Sequence, residues 1–322
     1  MSNKIDLVID VTGVAALPGP LHIAATVHLP DPIRLVHTPI VIFAAPGGGY
    51  ARRYFDLAIL GHTDYSQAKH HIERGLILVA YDHLGVGESS VTGLDVMTIE
   101  MIAAANDQAV RKIADLLGEG AIDRDFPAVP GATRIGIGQS MGGGVTMIMQ
   151  GRHRTFDAIA SLGYSAIHTR RGSHTAEMLA HSRTTDPRSL SAGASSAKIQ
   201  EQRRHDYHWD DVPEDIVAVD MAEPPPRKNP PPWGSSTIPN CGFAMLSPGY
   251  VKEEAATIDV PVLCAMGERD VVPDPHAEPS AFRRSRDISI CVIPRMAHMH
   301  NFASTRTLLW DRIAGWCRLV TA

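Results

Sequence analysis

The chain has 322 residues, 44% hydrophobic and 20% charged, a balance that suits one large or two small folded domains and excludes disorder as the main state. Its 35 acidic and 30 basic residues leave a formal charge of -5 with no dominant basic segment, so a small-molecule substrate is expected rather than nucleic acid or a membrane partner. The opening MSNKIDLVIDV lacks the plan of a secretion signal, and no run of about 18 apolar residues occurs, so a cytoplasmic location is expected.

In chain order, KIDLVIDV (4–11), LHIAATVHLP (21–30) and PIVIFAAP (39–46) are strand-like, rich in Val and Ile and bounded by Pro and Gly. They read as a sheet edge leading inward. LILVAYDH (76–83), TRIGIGQS (133–140), FDAIASLGYS (156–165), VPVLCAMGERD (260–270) and ISICVIPR (288–295) are short apolar runs of the kind buried on both faces of a parallel sheet. Between them, residues 98–118 place Ile99, Ile102, Val110, Ile113 and Leu117 at helical spacing, with Thr98 as the cap. Alternation of this kind predicts an α/β fold, a mostly parallel sheet with helices on both faces.

One interruption spans residues 166–246, dividing a core of 1–165 and 247–322. It is rich in Arg and His, contains the proline-rich EPPPRKNPPPW (223–233), and shows little sustained periodicity. A stretch that long without structure is unusual in a compact domain, so it reads as a cap over the sheet's carboxyl edge, with Trp209, Trp233 and Phe243 as apolar anchors. The four cysteines show no CxxC spacing and read as reduced thiols, not as a metal site.

GIGQSMGGG (136–144) follows a predicted strand and precedes a plausible helix, and within it Gly138-Gln139-Ser140-Met141-Gly142 is G-x-S-x-G. Glycines on both sides permit a sharp turn that lifts the Ser140 hydroxyl clear of the backbone. A phosphate loop fits less well, since neither G-x-x-x-x-G-K-[ST] nor G-x-G-x-x-G is present. A serine hydroxyl needs a base, and the base needs a third group to orient it. Downstream, Asp270 closes one strand, with Glu268 and Asp274 as alternatives, and His298 follows the next, with His300 as the alternative.

These residues resemble the α/β-hydrolase superfamily over nearly the whole chain. YDHLGVGES (81–89) is similar to its D-x-x-G-x-G-x-S stretch, MGERDVVP (266–273) to the G-x-x-D of its acid loop, and VIPRMAHM (292–299) to its strand-then-histidine segment. The resemblance implies Ser140 as nucleophile, His298 as base and Asp270 as acid. It also implies an oxyanion hole from the Met141 amide and a second amide in AAPGGGY (44–50), Gly48 or Gly49, although Pro46-Gly47 replaces the usual histidine-glycine opening.

A serine at the elbow points away from the superfamily's aspartate-dependent dehalogenases and epoxide hydrolases, and toward an acyl-enzyme. The expected reaction is hydrolysis of a carboxylic ester or lactone, with no metal and no organic cofactor. Amide cleavage, thioester cleavage, acyl transfer and carbon–carbon hydrolysis of diketones use the same triad and stand as alternatives. A catalytically silent binding protein is the reading from another class. Arg170, Arg171, Arg203 and Arg204 of the interruption are candidates to meet an anionic group on the substrate.

Overall fold

A computed structural model describes residues 4–170 and 197–321. Eight strands form one sheet: Lys4–Asp10 (β1), His22–His28 (β2), Ile40–Ala45 (β3), Ile77–Tyr81 (β4), Thr133–Gln139 (β5), Ala158–Leu162 (β6), Val262–Arg269 (β7) and Ile288–Ala297 (β8). Their order across the sheet is β1-β2-β4-β3-β5-β6-β7-β8. β1 and β2 pair antiparallel, as do β2 and β4, and every other pairing is parallel. The first three strands therefore do not run inward in chain order, because β4 lies between β2 and β3. A parallel β3–β4 pair needs a crossover, which contains helix α1 (Gln67–Ile72), and β4 then offers its outer edge to β2.

Strands β3, β4 and β6 are buried at every position, which explains why they read as unbroken apolar runs: helices cover both faces. Helix α2 (Ile99–Gly118) buries Ile99, Ile102, Val110, Ile113 and Leu117, and the Thr98 side chain caps it by accepting the Met101 N–H. It shares one apolar cluster with α3 (Met141–His153), while α1 and the last helix contribute to a second cluster on the other face. The four cysteines are free thiols, three of them buried.

Between β6 and β7 the chain leaves the sheet. The described part of this insertion holds α4 (Ala197–Tyr207), α5 (Glu214–Asp220) and a 3₁₀ segment at Asn240–Leu246, before α6 (Lys252–Thr257) leads back to the sheet. Of the three expected anchors Trp233 is buried, whereas Trp209 and Phe243 are half-buried. The insertion joins the carboxyl ends of the strands by backbone bonds: Ala51 N–H donates to Trp233, Ser235 N–H to Gly49, and the amides of His298 and Met299 to the Asp206 and Tyr207 carbonyls. Helix α7 (Arg306–Leu319) closes the chain. Among the described residues no helix is long and apolar enough to cross a membrane.

Candidate active site

Ser140 is the single residue between β5 and α3, and it takes φ +54°, ψ -122°, a backbone state that costs an ordinary side chain roughly 1–3 kcal/mol. The neighbouring glycines make that turn feasible. A Cβ on Gly138 would run into the carbonyl of Gly142, and a Cβ on Gly142 into that of Ala45, so elbow, helix and β3 approach more closely than any side chain allows. Two bonds hold the turn: Ser140 N–H donates to the Leu162 carbonyl at 2.8 Å, and the Gln139 amide donates to the His298 carbonyl at 2.9 Å.

The chain past β8 brings a histidine back to this serine. Ser140 Oγ lies 2.9 Å from His298 Nε2, and His298 Nδ1 lies 2.7 Å from Asp270 Oδ1. With its proton on Nδ1, the imidazole donates to the carboxylate and accepts from the hydroxyl. The Asp270 and His298 side chains are each 1% exposed, so bulk water does not compete for these bonds. Burial by itself would raise the Asp270 carboxyl, but the facing His300 and His298 imidazoles outweigh it and hold it well below the usual carboxylate range.

The alternatives fall elsewhere. Glu268 is exposed and accepts the Arg295 amide, and Asp274 caps a 3₁₀ segment by accepting the His276 and Ala277 amides. His300 lies beside the serine's partner rather than the serine: its Nε2 is 2.6 Å from Asp270 Oδ2.

Neither a protein-family model nor a curated protein sequence matches this chain. Solved structures do resemble it. A thermophilic esterase from Thermogutta terrifontis superposes with a TM-score of 0.67 at 15% identity, over 98% of this chain and 100% of that one. The proline iminopeptidase of Mycobacterium smegmatis gives 0.62 at 19%, over 98% of each, and the peroxisomal α/β-hydrolase of Saccharomyces cerevisiae gives 0.59 at 13%, over 99% of this chain and 90% of that one. The chain has the α/β-hydrolase fold.

In the α/β-hydrolase fold seen here, Gly47, Gly48 and Gly49 follow β3, and the first two face the elbow. A Cβ on Gly47 would stand 3.1 Å from Ser140 Cβ, and one on Gly48 3.6 Å from the Met141 sulfur. Gly49 turns away, toward Pro225 and Ile238 of the insertion, and its carbonyl accepts from Ser235 and Arg227. Among the described residues the amides of Met141 and Gly48 meet no hydrogen-bond acceptor, and Met141 sits at the positive end of α3.

Among the described residues the candidate arginines do not gather. Arg170 is exposed, Arg171 lies outside the described residues, and Arg204 pairs with Glu214 at the surface. Arg203 is buried, with its guanidinium 5.2 Å from the centre of the Tyr207 ring. That ring in turn packs 5.7 Å from the His298 ring, a contact with no trace in the sequence. Gly163, φ +63°, was also missed: a Cβ there would stand 3.0 Å from both Asp270 oxygens, and the one signal available was a glycine closing the β6 run. Among the described residues no group of three or more His, Cys, Asp or Glu could hold a metal ion.

Proposed function

We propose that this protein is a serine hydrolase that cleaves a carboxylic ester or lactone of a small molecule through an acyl-enzyme. The observation carrying this reading is the continuous line from Asp270 through His298 to Ser140, at 2.7 and 2.9 Å, ending on a strained elbow. A hydroxyl bonded to an imidazole whose other nitrogen is fixed by a carboxylate is set up to lose its proton as it attacks. Ser140 Oγ adds to the substrate carbonyl while His298 Nε2 takes the proton, and Asp270 stabilises the imidazolium. The oxyanion develops beside the amides of Met141 and Gly48, which need no reorganisation to receive it; Gly49, with its carbonyl engaged by the insertion, is the second choice. His298 then protonates the leaving alkoxide, activates a water, and the acyl group departs as the acid.

In this reading residues 166–246 act as the cap that selects the substrate, and the core of 1–165 and 247–322 carries the chemistry. The bonds from Trp233, Asp206 and Tyr207 to the loops beside Ser140 support that division. The test is labelling by a fluorophosphonate probe, wild type beside Ser140→Ala and His298→Ala, followed by a panel of esters, lactones, thioesters and diketones. Rapid labelling is expected in the wild type alone, with labelling and turnover lowered at least about a thousandfold in either variant. Turnover retained by Ser140→Ala refutes the mechanism, and a panel on which only the diketone turns over moves the reaction to a carbon–carbon bond.

A further inference from the structure

Asp270 accepts four hydrogen bonds in a balanced arrangement. Oδ1 takes the His298 imidazole at 2.7 Å and the Val271 amide at 2.7 Å, while Oδ2 takes the His300 imidazole at 2.6 Å and the Gly267 amide at 2.9 Å. Each oxygen thus carries one imidazole and one backbone N–H. A serine–histidine pair needs one imidazole on this carboxylate, so the second is unexplained by the mechanism above.

His300 is rigidly held. Its side chain is 1% exposed, it begins the turn His300–Phe302, and the next residue, Asn301, is pinned by the Tyr54 hydroxyl and carbonyl and by the Trp310 indole. Its Nδ1 is buried without a hydrogen-bond partner. A proton there would be an orphaned donor in a dry site, so the favoured form is the neutral tautomer with Nε2–H donating to Asp270. Among the described residues, the polar groups that meet the array include Ser140 after β5, the Gln139 side chain, which donates to the His298 carbonyl, Tyr207 of α4 against the His298 ring, and Tyr54 after β3.

We propose that His300 is a positioning residue that holds the plane of the Asp270 carboxylate and draws off part of its basicity, thereby setting the pH at which His298 becomes a base. This rests on the reading of His298 as the base. Donation to Oδ2 leaves less negative charge for the His298 imidazolium, so removing the donor makes protonated His298 easier to form.

The experiment is a pH titration of His298 by side-chain nitrogen NMR, in the full chain labelled with ¹⁵N-histidine, for wild type, His300→Leu and His300→Gln. The Gln amide nitrogen overlies the imidazole Nε2 and can still donate to Oδ2, whereas Leu cannot. The His298 midpoint should rise by about half a pH unit or more in His300→Leu and stay near the wild-type value in His300→Gln. An unmoved midpoint in folded His300→Leu overturns the proposal, as does an equal shift in both variants. If the leucine variant does not fold, His300→Asn replaces it, since its amide overlies Nδ1 and falls short of Asp270. Fluorophosphonate labelling of the same samples separates the two readings: a moved midpoint in a protein whose Ser140 is never labelled refutes the hydrolase and leaves the role of His300 standing.

Discussion

Two buried arginines tie down the chain that follows β3. Arg52 belongs to the core: its amide and guanidinium both bond the Asp82 carboxylate at 2.6 Å, and it also reaches Thr26 at 2.9 Å and Glu88 at 2.7 Å. Arg227 belongs to the insertion. It donates to the Gly49 carbonyl, lies 4.7 Å from the centre of the Tyr50 ring, and approaches Asp220. Asp220 in turn accepts from the Tyr50 hydroxyl at 2.8 Å, the Trp233 indole at 2.9 Å and His208 at 3.0 Å. Both carboxylates are fully buried, but the first ties the loop to strands that must form for the protein to fold, and the second ties it to an element laid over them. The core grip should therefore govern stability, and the insertion's grip the geometry of the amides beside Ser140.

The most severe test of this contrast is Asp82→Ala, which leaves the buried Arg52 without its main counter-charge and should cost about 3–5 kcal/mol in urea unfolding. A loss under about 1 kcal/mol would show that the core grip is not structural. Next is Asp220→Asn, which removes the charge facing Arg227 and turns one of the two accepting oxygens into a donor, so that only one of the Tyr50 hydroxyl and the Trp233 indole keeps its acceptor. The fold should survive, with labelling of Ser140 slowed roughly 10- to 100-fold by a displaced loop. Wild-type labelling in that variant would place the insertion's grip outside the site.

Acid titration probes the core side. His83 donates to the Pro46 carbonyl at 2.9 Å while its other nitrogen accepts from Asn106 at 2.8 Å, and burial pushes it down to about 4. Burial likewise lowers His28 to about 4 and His71 to about 3. In the unfolded chain these groups take up protons near 6.5, and in the folded protein only at the lower values. Above 6.5 neither state is charged and stability is complete; below it the unfolded chain alone binds protons. Stability should therefore fall from pH 6.5 toward 4, by about 1.4 kcal/mol per pH unit for each such histidine. Flat unfolding free energies across that window would mean the three rings reach water. The smallest effect belongs to Arg204→Ala, whose pair with Glu214 is exposed and screened by solvent, so unfolding and turnover should both stay at wild-type values.

Much of the fold was legible. All eight strands stand where the apolar runs bounded by Gly and Pro put them, and for β3, β4 and β6 the reason is that a strand buried on both faces has to be apolar throughout. Helix α2 was readable for a related reason: at 20 residues it is long enough for a 3.6-residue period to register. Helices α4 and α5 were not, at 11 and 7 residues, the first of them mostly polar in sequence. Such segments form because neighbours bury Tyr207, Ile216 and Val217, and no local pattern encodes that.

Ser140, Asp270 and His298 could be picked out as candidates that meet in space because each closes or follows a strand, and strand ends in a parallel sheet converge on one edge whatever lies between them. The turn around Ser140 was equally local, since only glycine admits the contacts that Gly138 and Gly142 make. Tertiary structure alone decided that Asp270 holds two imidazoles rather than one, that Gly163 leaves room for its carboxylate, and that Tyr50 finds Asp220 at a separation of 170 residues. Local chemistry chooses an element and the residue at its end. Which buried polar groups meet depends on how whole elements pack, and that is set by every neighbour at once.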